Sequence, residues 1–380
     1  MNVIIAMDAF KGCASSFELA GAIKEGIYKV FPKAELSSYE IADGGEGTLE
    51  AMVNNSGGKI LTCKVNDPLM RPIEARYGIL GDGLTCVIEM AQASGLPLVS
   101  KEERNPMKTT TYGVGELIKE GIAQGCRTFI VGIGGSATND VGLGMLQALG
   151  FLFLDKEGKS VGKGGEALSQ IVQIDTTDVL AELRECSFVV ACDVDNPMYG
   201  LRGAAQIYGR QKGATEEQVL ALDANVAYFA TLIKEQLGKE VAHIAGSGAA
   251  GALGGGFLAF LNATLRSGID IVLDSIHFND KVQKADFVIT GEGRIDAQSL
   301  MGKVISGIAK HCVKYNVPLL ALAGQIEEDA LRSHETGVSA LFSIMHAPIT
   351  LEDAMCKETT LKLIKQSSEE IFRLIKIARA

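Results

Sequence analysis

Several charged residues of this chain stand within a few positions after short apolar runs, where a strand would end. Lys11 follows the run of residues 2–7, and Asp193 and Asp195 follow the run of residues 188–192. Ligands of open α/β sheets bind beyond the carboxyl ends of the strands. A lysine there can hold phosphate as a point charge, and aspartates two residues apart leave a strand on the same side and suit a general base or a metal ligand. The alternatives are a solvated loop lysine and an ordinary Asp-Asn-Pro turn.

The sequence Gly-Glu-Gly occurs twice, at residues 45–47 and 291–293, and follows an apolar run each time. Around the first copy, Asp43, Glu46 and Thr48 place two carboxylates and a hydroxyl among the glycines. Carboxylates this close together can hold Mg²⁺ or the hydroxyls of a polar substrate, although acidic residues that complement a helix dipole would give the same pattern. Two such loops at neighbouring strand ends would point into one crevice.

A glycine-rich stretch, residues 132–144, follows the buried run of residues 129–131 and opens a helix that ends at Gly150. The glycines would let backbone N–H groups approach an anion, and the helix N-terminus adds partial positive charge. The spacing matches neither the Walker A loop nor the dinucleotide fingerprint, so a tight strand-to-helix turn is an equal alternative. The phosphate-binding candidates here are Gly134, Gly135, Ser136, Thr138 and Asn139.

Composition argues against several classes of protein. The 380 residues are 47% hydrophobic and carry a net charge of −10, whereas a nucleic-acid partner would require a basic face. No apolar run reaches the roughly 20 residues that a membrane span needs, and the N-terminus lacks the basic region of a signal peptide. Eight cysteines without a C-x-x-C pair and five dispersed histidines predict a cytoplasmic protein with reduced thiols and no structural zinc. A homo-oligomer is compatible with the sequence.

Strands and helices alternate at both ends of the chain, which predicts an α/β fold, and the length predicts two domains. Residues 60–89 instead contain short strands joined by turns, as in an antiparallel or mixed sheet. We therefore predict a parallel-sheet domain built from residues 1–60 and 285–380, and an inserted α/β domain with a mixed sheet at residues 61–284. We expect the strand at residues 287–290 to end where its Gly-Glu-Gly loop begins.

Eight motifs, in order and spread over nearly the whole chain, resemble the bacterial type-1 glycerate kinases. They are DAFKG (8–12), ADGGEGT (42–48), EMAQASG (89–95), IGGSATND (133–140), ACDVDNP (191–197), QKGA (211–214), GAAG (248–251) and ITGEGRID (289–296), the last continued by Gln298, Ser299, Gly302 and Lys303. One glycine loop alone would be weak, whereas eight collinear motifs are specific.

The resemblance implies that the γ-phosphoryl group of ATP is transferred to D-glycerate in the presence of Mg²⁺. It also implies a flavodoxin-like domain built from both chain ends, a second α/β domain, and an active site in the cleft between them. The implied product is 2-phosphoglycerate. The alternative product is 3-phosphoglycerate, which older naming in the family often assigns.

Phosphoryl transfer requires positioning and neutralisation of charge more than covalent chemistry. We therefore assign Lys11 and the backbone of the glycine-rich stretch to phosphates, and Arg294 to the glycerate carboxylate or the transferring phosphoryl group. Asp193 is the expected base or hydroxyl-orienting group, which makes Lys11, Asp193 and Arg294 the catalytic set. Asp296 could instead simply pair with Arg294. The further predictions are substrate contacts by Asp43, Glu46, Thr48, Ser94 and Arg71, and Mg²⁺ ligation by Asp195 and Glu292.

The chain departs from the family pattern at four positions without losing a charged group. The family usually has serine at Ala9, proline at Arg210, and glycine at Val141 and Ala252. The change at Ala9 removes a hydroxyl. Because valine disfavours positive φ, we expect ordinary backbone angles at Val141 and a helix that begins by this residue.

Two other functions compete with a kinase. A non-enzymatic sensor of small hydroxy acids could have the same architecture, but anion binding alone gains nothing from so many carboxylates without a metal. A phosphatase or other metal hydrolase would require clusters of histidine and aspartate ligands, which the sequence lacks.

Overall fold

The computed structural model describes residues 1–296, 299 and 303–379. The chain forms two compact units, which we call unit 1 (Met1–Asp43 with Ile269–Ala380) and unit 2 (Gly44–Gly268). The boundaries expected from the sequence, near residues 60 and 285, remain a prediction. The motif positions Gln298 and Gly302 lie outside the described residues.

Unit 1 begins with a strand, a helix and a second strand. These are β1 (Asn2–Met7), α1 (Ser16–Val30) and β2 (Glu35–Glu40). Helix α1 begins directly after Ser15, because Ser15 and Glu18 form a complete capping box. Its apolar face packs into a core with β1 and the last helix of the chain.

Unit 2 contains two sheets and several helices. Its strands are β3 (Lys59–Asn66), β4 (Pro72–Ile79), β5 (Thr85–Glu89), β6 (Thr128–Gly132), β7 (Leu152–Leu154), β8 (Gln173–Asp175), β9 (Ser187–Ala191) and β10 (Thr264–Arg266). Its α-helices are α2 (Thr48–Ser56), α3 (Ala91–Ser94), α4 (Tyr112–Ala123), α5 (Leu143–Ala148), α6 (Ala204–Tyr208), α7 (Glu216–Leu237) and α8 (Ala249–Phe260). Short 3₁₀ helices are Leu96–Leu98, Ala167–Gln170, Ala181–Glu185 and Arg210–Lys212.

Unit 1 resumes after unit 2 with alternating helices and strands. The elements are α9 (Gly268–Ser275), α10 (Phe278–Val282), β11 (Phe287–Ile295), α11 (Val304–Tyr315), β12 (Leu319–Ile326), the 3₁₀ helix Glu328–Thr336, β13 (Ala340–Ser343), α12 (Leu351–Ala354) and α13 (Lys357–Ala378).

The sheet of unit 1 is entirely parallel and has the order β13-β12-β11-β1-β2. Numbered within the unit, this is 2-1-3-4-5, the doubly wound order of the flavodoxin-like fold. The predicted flavodoxin-like architecture is confirmed. In such a sheet the strand order reverses between β1 and β11, and a crevice opens beyond their carboxyl ends.

The main sheet of unit 2 is mixed, as predicted. Its order is β10-β9-β6-β5-β4-β3, in which β5, β6, β9 and β10 run parallel and the hairpin β3-β4 joins β5 in antiparallel fashion. A separate antiparallel pair is formed by β7 and β8. The buried apolar core of unit 2 is built around β5, β6 and β9 with α4, α5, α7 and α8.

Strand β11 is longer than the sequence suggests. We expected it to end before Gly-Glu-Gly, but it continues to Ile295 because β12 pairs with it as far as Ile326. Glu292 and Arg294 are therefore strand residues held by cross-strand hydrogen bonds and not members of a free loop.

Candidate active site

In unit 1, strand β1 ends beside the middle of β11, which continues to Ile295. Met7 is in register with Gly291, and the backbone N–H of Asp8 donates to the carbonyl of Gly291 at 2.9 Å. The residues that follow, Asp8 and Glu292, therefore lie side by side at the point where the strand order reverses, with Asp8 leaving β1 and Glu292 still within β11. This is the crevice that the topology predicts.

A cavity of about 790 Å³ opens at this point, and every described residue of its lining belongs to unit 1. Its polar lining includes Lys11 after β1, Asp43 after β2, and Arg294 at the end of β11. The cavity thus brings together four residues that we singled out from distant parts of the sequence, since Glu292 lines it as well. Its lining also includes Asp8, Glu292 and Lys303.

Asp8 is the most perturbed acid of the cavity. Burial and the neighbouring carboxylate of Asp43 raise the pKa of Asp8 to about 7, while the backbone N–H of Ala9 and the ammonium group of Lys11 act in the opposite direction. The N–H of Ala9 donates to the Asp8 carboxylate at 2.7 Å. An added cation in the cavity would favour the ionised form of this carboxyl group.

Glu292 is half-buried, and burial raises the pKa of its carboxyl group. A hydrogen bond from Ser299 and the positive charge of Lys303 act in the opposite direction and lower this pKa. Its Oε1 atom is buried and has no hydrogen-bond partner among the described residues. A buried carboxylate oxygen without a donor is costly unless a cation or a ligand satisfies it.

Arg294 already has two acidic neighbours. Its guanidinium lies 3.2 Å from Glu327 and 3.8 Å from Asp296, and its side chain is 59% exposed. The pairing with Asp296, which we considered as an alternative, is present at the long distance of 3.8 Å. A guanidinium has five N–H donors, so some of them can still bind an anion.

In unit 2, the loop of residues 44–47 packs against the carboxyl ends of β6 and β9. A side chain at Gly44 would place its Cβ 2.7 Å from the Cβ of Ala191, so only glycine fits there. The Glu89 carboxylate accepts the backbone N–H of Leu49 at 3.0 Å and so caps α2. Of the predicted substrate contacts, Glu46 is exposed, whereas Thr48 is buried and its hydroxyl has no partner among the described residues.

The glycine-rich stretch presents glycines at its surface and buries its polar side chains. Gly134 and Gly135 are exposed, whereas Ser136, Thr138 and Asn139 are buried. A ligand could therefore contact the backbone of the two glycines. The side chains of Thr138 and Asn139 face the protein, and their polar atoms lack hydrogen-bond partners among the described residues.

Lys212 is the residue of unit 2 that our sequence reasoning missed. Its ammonium group is fully buried and donates to the Ser136 hydroxyl and to the Thr138 carbonyl, each at 2.7 Å. Burial lowers the pKa of Lys212 to about 7, while the charge of Asp140 acts in the opposite direction. The lysine therefore holds the glycine-rich stretch from beneath. Its place in the motif at residues 211–214 was the one available signal.

Asp140 organises the end of the glycine-rich stretch. Its carboxylate accepts the backbone N–H and the hydroxyl of Thr111, each at 2.9 Å, and the N–H groups of Gly142 and Gly144. Burial raises the pKa of Asp140, and these hydrogen bonds act in the opposite direction. The carboxylate thus ties the start of α4 to the start of α5.

The expectation for Val141 was wrong. Val141 has φ of 54° and Ala252 has φ of 64°, so both adopt the left-handed conformation that favours glycine. Helix α5 begins later, at Leu143, with Gly142 as its N-cap. The physical reason is a tertiary contact, because the N–H of Val141 donates to the carbonyl of Gly251 and fixes this turn.

The two aspartates after β9 have different partners. One guanidinium nitrogen of Arg202 donates to both carboxylate oxygens of Asp195, at 2.7 and 2.8 Å, so the geometry does not favour the predicted role of Asp195 as a metal ligand. Asp193 is exposed and accepts the N–H of Gly268 at 3.1 Å. Its predicted role as a base remains compatible with its exposure.

Two further substrate candidates of unit 2 are engaged within the protein. Ser94 is buried and donates its hydroxyl to the carbonyl of Thr110 at 3.2 Å. Arg71 is paired with Asp67 at 2.6 Å and with Glu103 at 3.0 Å. These contacts give both side chains a structural use, and their substrate contacts remain predictions.

Asp8 and Lys303 are charged residues of the described cavity lining to which we gave no role from the sequence, although both lie in the motifs that carry the family resemblance. The position of Asp8 directly after β1 was a usable signal. No pattern around Lys303 predicted its role, because it directly precedes α11 and lines the cavity as a result of tertiary contacts.

Among the described residues, no group of three or more histidine, cysteine, aspartate or glutamate side chains is arranged to enclose a metal ion. Mg²⁺ is usually bound by one or two carboxylates together with substrate phosphates. The unpartnered Oε1 of Glu292, with Asp43 in the same cavity lining, fits this kind of site. In the described part of the chain, no helix combines the length and apolar character needed to cross a bilayer.

Comparison with known proteins decides the family. A family model described as the glycerate kinase family matches residues 3–376. The chain belongs to the glycerate kinase family. The resemblance predicted from the eight motifs is thereby confirmed, and the chain is an enzyme of the kinase class.

Several relatives match this chain over 93% or more of its length. It is 46% identical over 379 residues to a glycerate kinase of Bacillus subtilis (strain 168), covering 100% of this chain and 99% of the relative. It is 44% identical over 354 residues to the glycerate 2-kinase of Escherichia coli (strain K12), covering 93% of each. A crystal structure from Salmonella typhimurium LT2, described as a candidate glycerate kinase 2, matches with a TM-score of 0.92 and 41% identity, covering 100% of this chain and 99% of that chain.

Proposed function

We propose that this protein phosphorylates D-glycerate with ATP and releases 2-phosphoglycerate and ADP. Family membership supports the reaction class, and the relative named glycerate 2-kinase supports the product. The structural observation that carries the proposal is the cavity at the ends of β1 and β11, where Lys11, Arg294 and Lys303 meet three carboxylates. A polyphosphate donor needs such cations, and a bound metal needs such carboxylates.

The three cationic side chains of the cavity have different roles in the proposed reaction. Lys11 and Lys303 act as point charges that hold phosphate oxygens and neutralise the charge that develops during transfer. Arg294 offers a planar pair of donors, which suits either the glycerate carboxylate or the transferring phosphoryl group. Its release from Glu327 would accompany binding of that anion.

Mg²⁺ is the cofactor that the carboxylates of the cavity would accommodate, with Glu292 and Asp43 as its protein ligands. When bound, it would neutralise charge on the donor phosphates. The buried and unpartnered Oε1 of Glu292 is the observation that favours this placement. The earlier assignment of Asp195 is less favoured because Arg202 occupies its carboxylate.

In unit 2, Asp193 is proposed to orient or deprotonate the glycerate hydroxyl that attacks. Its exposed carboxylate, anchored by the N–H of Gly268, can accept a proton without the cost of complete burial. The exposed backbone of Gly134 and Gly135 is proposed to donate to phosphate oxygens.

The reaction is tested by incubating the purified protein with ATP, D-glycerate and Mg²⁺. A coupled assay measures ADP, and ³¹P NMR identifies the phosphorylated product. We expect ADP release that depends on glycerate, together with the resonance of 2-phosphoglycerate. ADP release without glycerate, or a 3-phosphoglycerate resonance as the first product, would contradict the proposal in two distinguishable ways.

A further inference from the structure

One side of the cavity in unit 1 is apolar and is not used by the reaction described above. It is formed by Met345, Pro348, Ile349, Leu351 and Met355, which we call the apolar wall. These residues follow β13 and run into α12. Three of them are large hydrophobic side chains with much exposed surface, namely Ile349 at 42%, Leu351 at 74% and Met355 at 43%. Exposed apolar side chains gathered within one cavity mark a ligand surface.

We infer that the apolar wall binds the purine base of ATP, with the triphosphate extending toward Lys11, Arg294 and Lys303. The inference rests on the proposed kinase function and assigns the nucleotide's base to one side of the cavity. Glycerate is a three-carbon acid with two hydroxyls, and it offers little apolar surface for such a wall. A purine offers two flat apolar faces, and thioether groups such as those of methionine contact aromatic rings favourably.

The apolar wall lies next to the phosphate-binding side of the cavity. The terminal methyl group of Met355 lies 3.4 Å from the position that a Cβ at Gly12 would occupy, directly beside Lys11. The Cys13 thiol donates to the hydroxyl of Thr360 at 3.0 Å, and this hydroxyl donates to the carbonyl of Ala354 at 2.7 Å. These bonds tie the lysine loop to the end of α12, so base and phosphate subsites are held next to each other.

Charge supports the same orientation of the nucleotide. The cations of the cavity lining, Lys11, Arg294 and Lys303, lie after β1, near the end of β11 and before α11, and the apolar wall contributes none. A triphosphate placed against the wall would lose its hydration without gaining a charged partner. The base therefore belongs at the wall, and the phosphates belong at the strand ends.

The test compares ligands that have and lack a base. Ile349→Asn and Met355→Gln make the wall polar with little change in size. Leu374→Asn and Ile377→Asn change exposed apolar residues of α13 outside the cavity and serve as matched controls. Isothermal titration calorimetry measures binding of ADP and of inorganic tripolyphosphate. We expect the wall variants to lose about tenfold in ADP affinity and to bind tripolyphosphate as the wild type does.

A photo-crosslink gives an independent readout. We expect 8-azido-ATP to label the wild-type protein within residues 345–355, as located by peptide mass spectrometry. The inference is overturned if the wall variants bind ADP with wild-type affinity, if tripolyphosphate binding falls equally, or if the label is found elsewhere in the chain. Failure of the kinase proposal looks different, because the wild-type protein would then bind ADP at the wall without turning over ATP and glycerate.

Discussion

The backbone N–H of Asp8 donates to the carbonyl of Gly291 at 2.9 Å. This hydrogen bond extends the pairing of β1 with β11 by one residue and brings the Asp8 and Glu292 side chains to the same edge of the sheet. Both residues line the cavity that also contains Lys11 and Arg294. The parallel pairing of two strands separated by most of the sequence thus assembles the charged groups that phosphoryl transfer needs.

Lys11→Ala should reduce kcat/KM for ATP by about a hundredfold, because one cation that neutralises the transferring phosphates is lost. Initial rates at varied ATP and fixed, saturating glycerate measure the effect. Lys310→Ala, on the exposed surface of α11, is the control and should retain normal kinetics. Near-normal turnover by Lys11→Ala would show that this lysine does not serve the reaction.

Asp193→Asn should lower kcat by about two to four orders of magnitude if the carboxylate acts as a general base. The amide can still accept the N–H of Gly268, so the loop should keep its structure. Circular dichroism checks folding, and rates across pH separate the two possible roles. If Asp193 only orients the hydroxyl, the rate of Asp193→Asn should be lower than that of the wild type by the same factor at every pH. Unchanged kcat would remove Asp193 from the mechanism.

Gly44→Ala should destabilise the protein by about 3 kcal/mol or more. Its φ of 89° is strained for alanine, and the new Cβ would lie 2.7 Å from the Cβ of Ala191 and 3.0 Å from the Cα of Gly268. Gly47→Ala is the matched control, since its φ is 91° but no atom lies within 4 Å of the new Cβ. It should cost only about 1 kcal/mol. Equal urea midpoints for the two variants would refute the steric account.

Ala250→Gly should stabilise the protein by about 1 kcal/mol. Ala250 has φ of 55° and lies in a left-handed turn inside α8, so glycine relieves strain that the alanine Cβ causes. Ala227→Gly, in the regular helix α7, should instead cost about 1 kcal/mol. Opposite shifts in thermal midpoint are the expected result, and destabilisation by both variants would contradict it.

Lys212 should give stability a measurable pH dependence. Burial lowers the pKa of Lys212 to about 7 in the folded protein, from an ordinary value of 10.5. Between these values the unfolded chain binds more protons than the folded one, so the free energy of unfolding rises with pH by at most about 1.4 kcal/mol per unit. Burial of the charged lysine lowers the free energy of unfolding by its full amount below about pH 7, and this loss disappears as the pH approaches 10.5.

Lys212→Met removes this contribution while it keeps most of the buried volume. Urea unfolding of both proteins at several pH values between 7 and 10 measures the difference. We expect the wild type to gain stability relative to the variant as the pH rises. A difference that stays constant over this range would mean that Lys212 is charged in the folded protein.

Patterns of local sequence predicted much of the fold and part of the site. Alternating strands and helices at both chain ends indicated a parallel sheet, and the short strands of residues 60–89 indicated a mixed one. Lys11 was found because it follows an apolar run, Arg294 because it lies in the motif of residues 289–296, and the structure places both in one cavity. Such features depend on residues that are close in the sequence.

Features that depend on distant contacts could not be predicted in this way. Strand β11 continues to Ile295 because β12 pairs with it, and no local pattern reports that pairing. Val141 has positive φ because the carbonyl of Gly251 accepts its N–H. Lys212 is buried because Ser136 and Thr138, more than 70 residues earlier, accept its hydrogen bonds.

A crystal structure of the protein with Mg²⁺ and a non-hydrolysable ATP analogue such as AMP-PNP would show directly whether the cavity of unit 1 binds the phosphates of ATP. We predict phosphate oxygens within hydrogen-bonding distance of Lys11 Nζ, in the cavity at the ends of β1 and β11. An analogue bound with all of its phosphates away from Lys11, Arg294 and Lys303 would contradict the account.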